Sequence, residues 1–244
     1  MASYIRAISS EWLKISGPGV WIQLILSPVL ALLVGMFNRD PGELNPWHII
    51  VGSMAGVHAL LFLPILTGVL SAMVCRYEHM GGGWKQLLVA PVSRIAVYCA
   101  KFSVVILLLA AAQLLFLAAI FGAGWYHEVN QPMPWDMLMT SLLGGWVACM
   151  PLAALQLAVS TAWSSFAAPL ALNIIFTVPN ILIVNSVTFG PYYPWAQPLL
   201  AMIPSEQDAF GAFVVPLQTL MGVILGGLVI FFVIGLLYFQ RKEV

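Results

Sequence analysis

Charge is what this 244-residue chain has least of: Asp, Glu, Lys and Arg make up 7% of it, against roughly 25% in a soluble globular domain. So few charges cannot keep a surface in water, which excludes a soluble enzyme or binding domain. Cysteine is nearly as scarce. Cys75, Cys99 and Cys149 are odd in number and lack metal-ligand spacing, so they read as reduced, buried thiols rather than a disulfide or zinc framework. No Gly-rich loop runs into Lys-Ser or Lys-Thr, so the chain does not cradle nucleotide phosphates. Gly81, Gly82 and Gly83 are followed by Trp84 before Lys85, and no strand precedes them. His-Glu-x-x-His, Gly-x-Ser-x-Gly and an intramembrane carboxylate pair are also missing, which argues against a membrane protease or hydrolase. A cleavable signal is not expected either, because Glu11 and Lys14 precede the first apolar stretch and no small-residue cleavage pattern follows it.

What is there is apolar. Hydrophobic residues make up 61% of the chain, and the mean hydropathy is +0.98. A bilayer core needs about 20 apolar residues of helix. Six stretches qualify, at about 19–37, 48–74, 102–124, 137–160, 168–187 and 212–238. Nothing alternates like a barrel strand, so the expected fold is an all-α membrane bundle of six transmembrane helices in one transmembrane domain, 1–244. Pro64 marks an expected kink in the second span. With the N-terminus placed inside, Arg6, Lys14, Arg76, Lys85, Arg94, Lys101, Arg241 and Lys242 share the cytoplasmic side and Arg39 alone lies outside. Both termini are therefore expected in the cytoplasm. The predicted outer loops carry Asp40, Glu43, Glu128, Asp136, Glu206 and Asp208, and each contains a Pro-Trp pair that suits an aromatic belt. At the start, residues 1–16 place Tyr4, Ile8, Trp12 and Ile15 at helical spacing, which predicts an amphipathic interfacial helix.

Residues 75–101 form the one long cytoplasmic loop of this scheme. Three glycines would end a helix arriving from span two. Trp84, Leu87 and Leu88 then follow at i, i+3 and i+4, with Lys85 and Gln86 turned away, before Pro91. A helix of one or two turns is not stable alone in water, so its apolar stripe must lie on the membrane or on another protein.

The pattern Tyr77-Glu78, Trp84-Lys85-Gln86-Leu87-Leu88 and Pro91-Val92-Ser93-Arg94, with Tyr98 and Lys101, resembles the coupling region of type 2 ABC exporter permeases. Within that group it resembles the permeases of lantibiotic-immunity and bacitracin-type exporters. Weaker supporting pieces are SEWLKI (10–15), PLAALQLAVS (151–160), SSFA (164–167) and PWAQP (194–198). The resemblance implies a short coupling helix docked on a separate cytoplasmic ATPase. Glu78 would position or contact that partner, Trp84, Leu87 and Leu88 would form the docked face with Lys85 beside them, and Arg94 would flank it. It further implies two ATPase subunits that carry ATP and Mg, a second permease chain, identical or similar, and a bacterial cytoplasmic membrane. No cofactor is expected on this chain, nor any nucleic-acid partner. The function implied is export of an amphipathic, lantibiotic-like antimicrobial peptide for self-protection and antibiotic resistance.

Within the spans no Asp, Glu, Lys or Arg lies near a centre. An ion-coupled secondary transporter of a hydrophobic solute, the alternative reading, would want one, and His58 alone offers a titratable group. A purely structural membrane scaffold, a third reading, predicts that changes in the coupling helix are harmless. Gln113, Gln156, Asn173 and Asn180 are candidates to line a path, weighed against plain interhelical hydrogen bonding. Segment 188–210, rich in proline and aromatics, is expected to dip into the outer leaflet as a gate, with Tyr192, Tyr193 and Trp195 as candidates. Gly222 and Gly226 form a small-xxx-small pair.

Overall fold

The computed structural model describes residues 2–15, 17–37, 45–80, 83–85, 92–203 and 211–242. Every regular element among them is helical. α1 (Ala2–Ile15) leads into α2 (Pro18–Phe37), followed by α3 (Pro46–His79), α4 (Arg94–Tyr126) and α5 (Trp135–Ala162). Then come α6 (Ala167–Thr177), α7 (Asn180–Ile183), α8 (Gln197–Met202) and α9 (Leu217–Arg241). Among the described residues five helices, α2, α3, α4, α5 and α9, are long and apolar enough to cross a membrane.

The helices outrun their hydrophobic windows. α3 continues through Arg76 and Glu78 to His79, and α4 already begins at Arg94, so the two helices take in both ends of the expected loop of 75–101. At 33 residues and 1.5 Å per residue, α4 is roughly 50 Å long and overhangs a bilayer core. The stretch expected as a fifth span is shorter than predicted. Pro179, which lacks an N–H, falls between the 11-residue α6 and the 4-residue α7, and the chain then returns through a 3₁₀ turn at Gly190–Tyr192 into α8.

Pro64 leaves its mark one turn earlier. Residues His58–Phe62 form a π-turn in which Leu63 N–H reaches back to His58 O. Proline cannot donate to Leu60 O, and the orphaned carbonyl accepts from Asn180 Nδ2 at 2.9 Å. Asn173 Nδ2, seven residues earlier on the same stretch, donates to Pro64 O at 3.0 Å. Asn173 sits so close to α3 that a Cβ on Gly68 would lie 2.2 Å from its Nδ2. The broken α6–α7 segment is thereby fastened to the irregular middle of α3.

α1 is held to the bundle by one face. That face packs on α4 and α3, and Tyr4 Oη lies 2.6 Å from Ser103 Oγ of α4. Trp12 is turned outward with Ile5 and Leu13, and Glu11 is buried.

Candidate functional site: an ion ring beneath Trp84

Three helices converge at the bundle end where α3 stops and α4 starts. α1 contributes Glu11 and Lys14, one turn apart. α3 contributes Glu78 in its last turn, and α4 contributes Lys101 in its second. Lys14 Nζ lies 2.7 Å from Glu11 Oε1 and 2.6 Å from Glu78 Oε1. Lys101 Nζ lies 2.8 Å from Glu11 Oε2 and 2.9 Å from Glu78 Oε2. The last contact lacks hydrogen-bond alignment, so that side of the ring is a charge contact. Lys101 also donates to the Val74 carbonyl.

The ring alternates in sign and sums to zero. It is interior: Lys101 is 0% exposed, Glu11 2% and Glu78 3%. Charges taken out of water are tolerated there because each meets two of opposite sign. Lys14 alone keeps a partly exposed side chain.

Above the ring the chain doubles back. After His79, Met80 is extended and Gly83 N–H donates to Met80 O. Gly83 comes so near the end of α3 that a Cβ on it would lie 2.8 Å from both Glu78 Cα and Tyr77 O. No residue with a side chain fits that approach. It delivers Trp84, in the helical turn 83–85, to a site where it is 5% exposed. The indole Nε1–H donates to His79 Nδ1 at 3.0 Å, and His79 Nε2 is left to donate to Ser160 O of α5 at 2.7 Å. The ring packs edge-on against Phe239 of α9, with centroids 5.5 Å apart. Lys242 Nζ stands 4.4 Å from the indole centroid and Lys101 Nζ 5.7 Å. Burial draws the Lys242 pKa below the usual lysine value. Arg94 closes the group: its Nη1 donates to Gln240 O at 2.6 Å and Lys242 O at 2.9 Å, capping the C-terminal carbonyls of α9. Trp84 thus touches α3, α4, α5 and α9 through named partners, while the ring beneath it ties in α1.

Of the expected partner-contact residues, Glu78 and Trp84 are interior to the chain, Lys85 is exposed and Arg94 caps α9. Leu87 and Leu88, with Gln86 and Pro91, lie outside the described residues. Glu11 was missed by the sequence reading. Its signal was present, since it stands seven residues after Tyr4, three after Ile8 and four before Ile15, in the middle of the stripe that became buried.

Of the expected path and gate residues, Gln156, Asn173, Asn180 and Trp195 gather into one hydrogen-bonded network. Asn173 Oδ1 accepts from Gln156 Nε2 at 3.0 Å and from Trp195 Nε1 at 2.8 Å, and Asn180 Nδ2 reaches Trp195 O. Trp195 is buried, Tyr193 is half-buried and donates to Phe176 O, and Tyr192 is 70% exposed. Gln113 is separate, with Nε2 3.7 Å from Met202 Sδ. His58 is buried, hydrogen-bonded to Ser27 Oγ at 2.6 Å and stacked on Phe116 with centroids 4.1 Å apart. It serves the packing of α2, α3 and α4. Cβ atoms added at Gly222 and Gly226 would meet nothing within 4 Å, so this small-residue strip faces outward.

A bundle of five helices long and apolar enough to cross a membrane, with buried charges at one end, is the form of a multi-pass membrane protein. The sequence profile of the ABC-2 family transporter proteins matches residues 7–180, which takes in most of α1, the ion ring, the turn at 83–85 and Gln156, Asn173 and Asn180 of the network. The chain belongs to the ABC-2 transporter family. Among curated proteins, none matches it significantly. The family supplies the membrane subunit of an ABC transporter, whose ATP-hydrolysing subunit is a separate chain, and the protein is accordingly a multi-pass membrane protein with an ABC ATPase for a partner.

Proposed function

We propose that this chain is the permease of an ATP-driven exporter in a bacterial cytoplasmic membrane, with the ion-ring end facing the cytoplasm. Two cytoplasmic ATPases, carrying ATP and Mg, dock on two permeases through the segment that begins at Trp84. Lys85, Leu87 and Leu88 meet the ATPase. Glu78, Trp84 and Arg94 act behind them as the anchor that turns a push on the segment into a movement of α1, α3, α4 and α9. The observation that carries this reading is Trp84 itself: a tryptophan in a short turn after three glycines, buried on an ion ring and bonded through His79 to α5. A turn with no mechanical role has no need of so many fixed partners.

The cargo we propose is a lantibiotic-like or other amphipathic antimicrobial peptide, removed for self-protection. The residue pattern at 77–101 and spans without central charges support it. A second permease has the outward strip at Gly222 and Gly226 available for pairing. The ion-coupled alternative loses its support, since His58 is taken up in helix packing.

Site-directed cross-linking tests the docking. Lys85→Cys, treated with a short bifunctional thiol–amine reagent in native membranes, should give an adduct with the ATPase whose yield changes on adding ATP. A cysteine introduced at Tyr192, at the opposite end of the bundle, should give none. Equal labelling of both positions, or adducts with lipid alone at 85, would refute the docking.

A further inference from the structure

At the end of the bundle opposite the ion ring, the connection from α4 to α5 carries a feature that ATPase docking does not use. α4 ends in a Schellman turn: Val129 N–H donates to Gly124 O and Glu128 N–H to Trp125 O, both at 3.1 Å. The residue placed in the left-handed backbone region is Glu128, with φ 51°, the one non-glycine residue so placed among the described residues. Glycine or asparagine normally takes this position, because a larger side chain crowds the neighbouring carbonyl. A glutamate held there against backbone preference points to a use for its carboxylate. No described residue forms an ion pair with it.

Glu128 borders a cavity of about 640 Å³ lined also by Trp47, Phe121, Trp125, Tyr126 and Asn130. Its wall is firm. Trp47 Nε1 donates to Gln131 O at 3.0 Å, and the indole lies so close to α4 that a Cβ on Gly124 would be 2.2 Å from Cη2. Trp125 and Tyr126 stand at the rim, 85% and 55% exposed. Among the described residues, no Lys or Arg lines the cavity. Aromatic side chains and a carboxylate with no ion-pair partner among the described residues suit a cation, above all an ammonium group. An anion would be repelled, and a neutral apolar ligand would leave the glutamate without purpose. The wider field agrees, since the loops predicted for this side hold six acidic residues against Arg39. The site also lies where the apolar α4 gives way to a polar loop, the depth of lipid headgroups.

We propose that this pocket binds the ammonium headgroup of a zwitterionic phospholipid such as phosphatidylethanolamine. The ammonium lies between the Glu128 carboxylate and the Trp125 and Tyr126 rings, and the Asn130 and Gln131 amides supply donors for the phosphate.

The test uses the full chain purified in detergent and titrated with short-chain phosphatidylethanolamine, short-chain phosphatidylglycerol or free ethanolamine, with retained ligand read by intact-protein mass spectrometry. The wild type should retain phosphatidylethanolamine about tenfold better than phosphatidylglycerol. Glu128→Gly, which relieves the backbone, should stay folded and lose that preference, and Glu128→Gln should lose it with the side-chain shape preserved. Trp125→Leu should weaken retention about tenfold with thermal stability unchanged. Equal retention of the two lipids by the wild type, or an unaltered preference in both Glu128 variants, would overturn the site. Displacement of the lipid by free ethanolamine at matching concentration would overturn the lipid assignment in favour of a free amine.

Discussion

Replacing Lys101 by methionine tests the ion ring at its most buried point. The ammonium is fully enclosed and faces one oxygen of Glu11 and one of Glu78. Without it, two carboxylates that are 2% and 3% exposed must share Lys14, and the Val74 carbonyl loses a donor. Removing one partner of a buried ion pair costs about 3–5 kcal/mol, roughly a 10²- to 10⁴-fold shift in the folding equilibrium. The double variant Lys101→Met with Glu78→Gln takes away one charge of each sign and keeps the Lys14–Glu11 pair. It should be more stable than the two single losses summed, by about 1–3 kcal/mol. Equilibrium unfolding in mixed micelles, with the four members of the cycle measured side by side, gives both figures. A single variant within about 1 kcal/mol of the wild type would mean that the ring behaves as exposed charges do. Strict additivity would mean that Glu78 and Lys101 do not act together. Either result refutes the reasoning.

Three further substitutions have defined outcomes. Gly83→Ala forces a Cβ to within 2.8 Å of Glu78 Cα and Tyr77 O; it should destabilise the chain by about 1–3 kcal/mol and lower ATP-driven export more than expression, as read in inverted vesicles. Trp84→Phe keeps the stacking but deprives His79 Nδ1 of its donor, at a cost of about 1–3 kcal/mol, seen as a lower apparent Tm of the purified protein. Asn173→Leu leaves Pro64 O, Gln156 Nε2 and Trp195 Nε1 without their partner; each orphan costs about 1–3 kcal/mol, so the variant should show the largest drop in Tm of the three, and an unchanged Tm would contradict the fastening of α6 to α3.

The sequence revealed what depends on one helix at a time. Apolar length announced α2, α3, α4, α5 and α9, and Pro64 announced the irregular turn in α3, because both follow from a missing backbone donor or a run of greasy residues. It did not reveal which faces meet. Glu11 and Glu78 are far apart in the chain, and nothing local tells that α1 will lay one beside the other. Glu78 and Lys101 looked like loop charges because hydropathy ends where the first charge appears, whereas the helices continue until the backbone is interrupted. The glycines at 81–83 read as the end of a helix, and Gly83 is there also for lack of room. Composition likewise made 168–187 look like a span, and Pro179 divided it.

The most direct measurement is the mass of the intact complex after gentle purification of the tagged chain from its native membrane, for the wild type and for Leu87→Asp. A docking segment anchored by Trp84 predicts that an ABC ATPase accompanies the wild type. It also predicts that Leu87→Asp loses the ATPase while the permease itself remains folded. An ATPase bound equally well to Leu87→Asp would place the contact elsewhere on the chain and contradict the coupling role given to this segment.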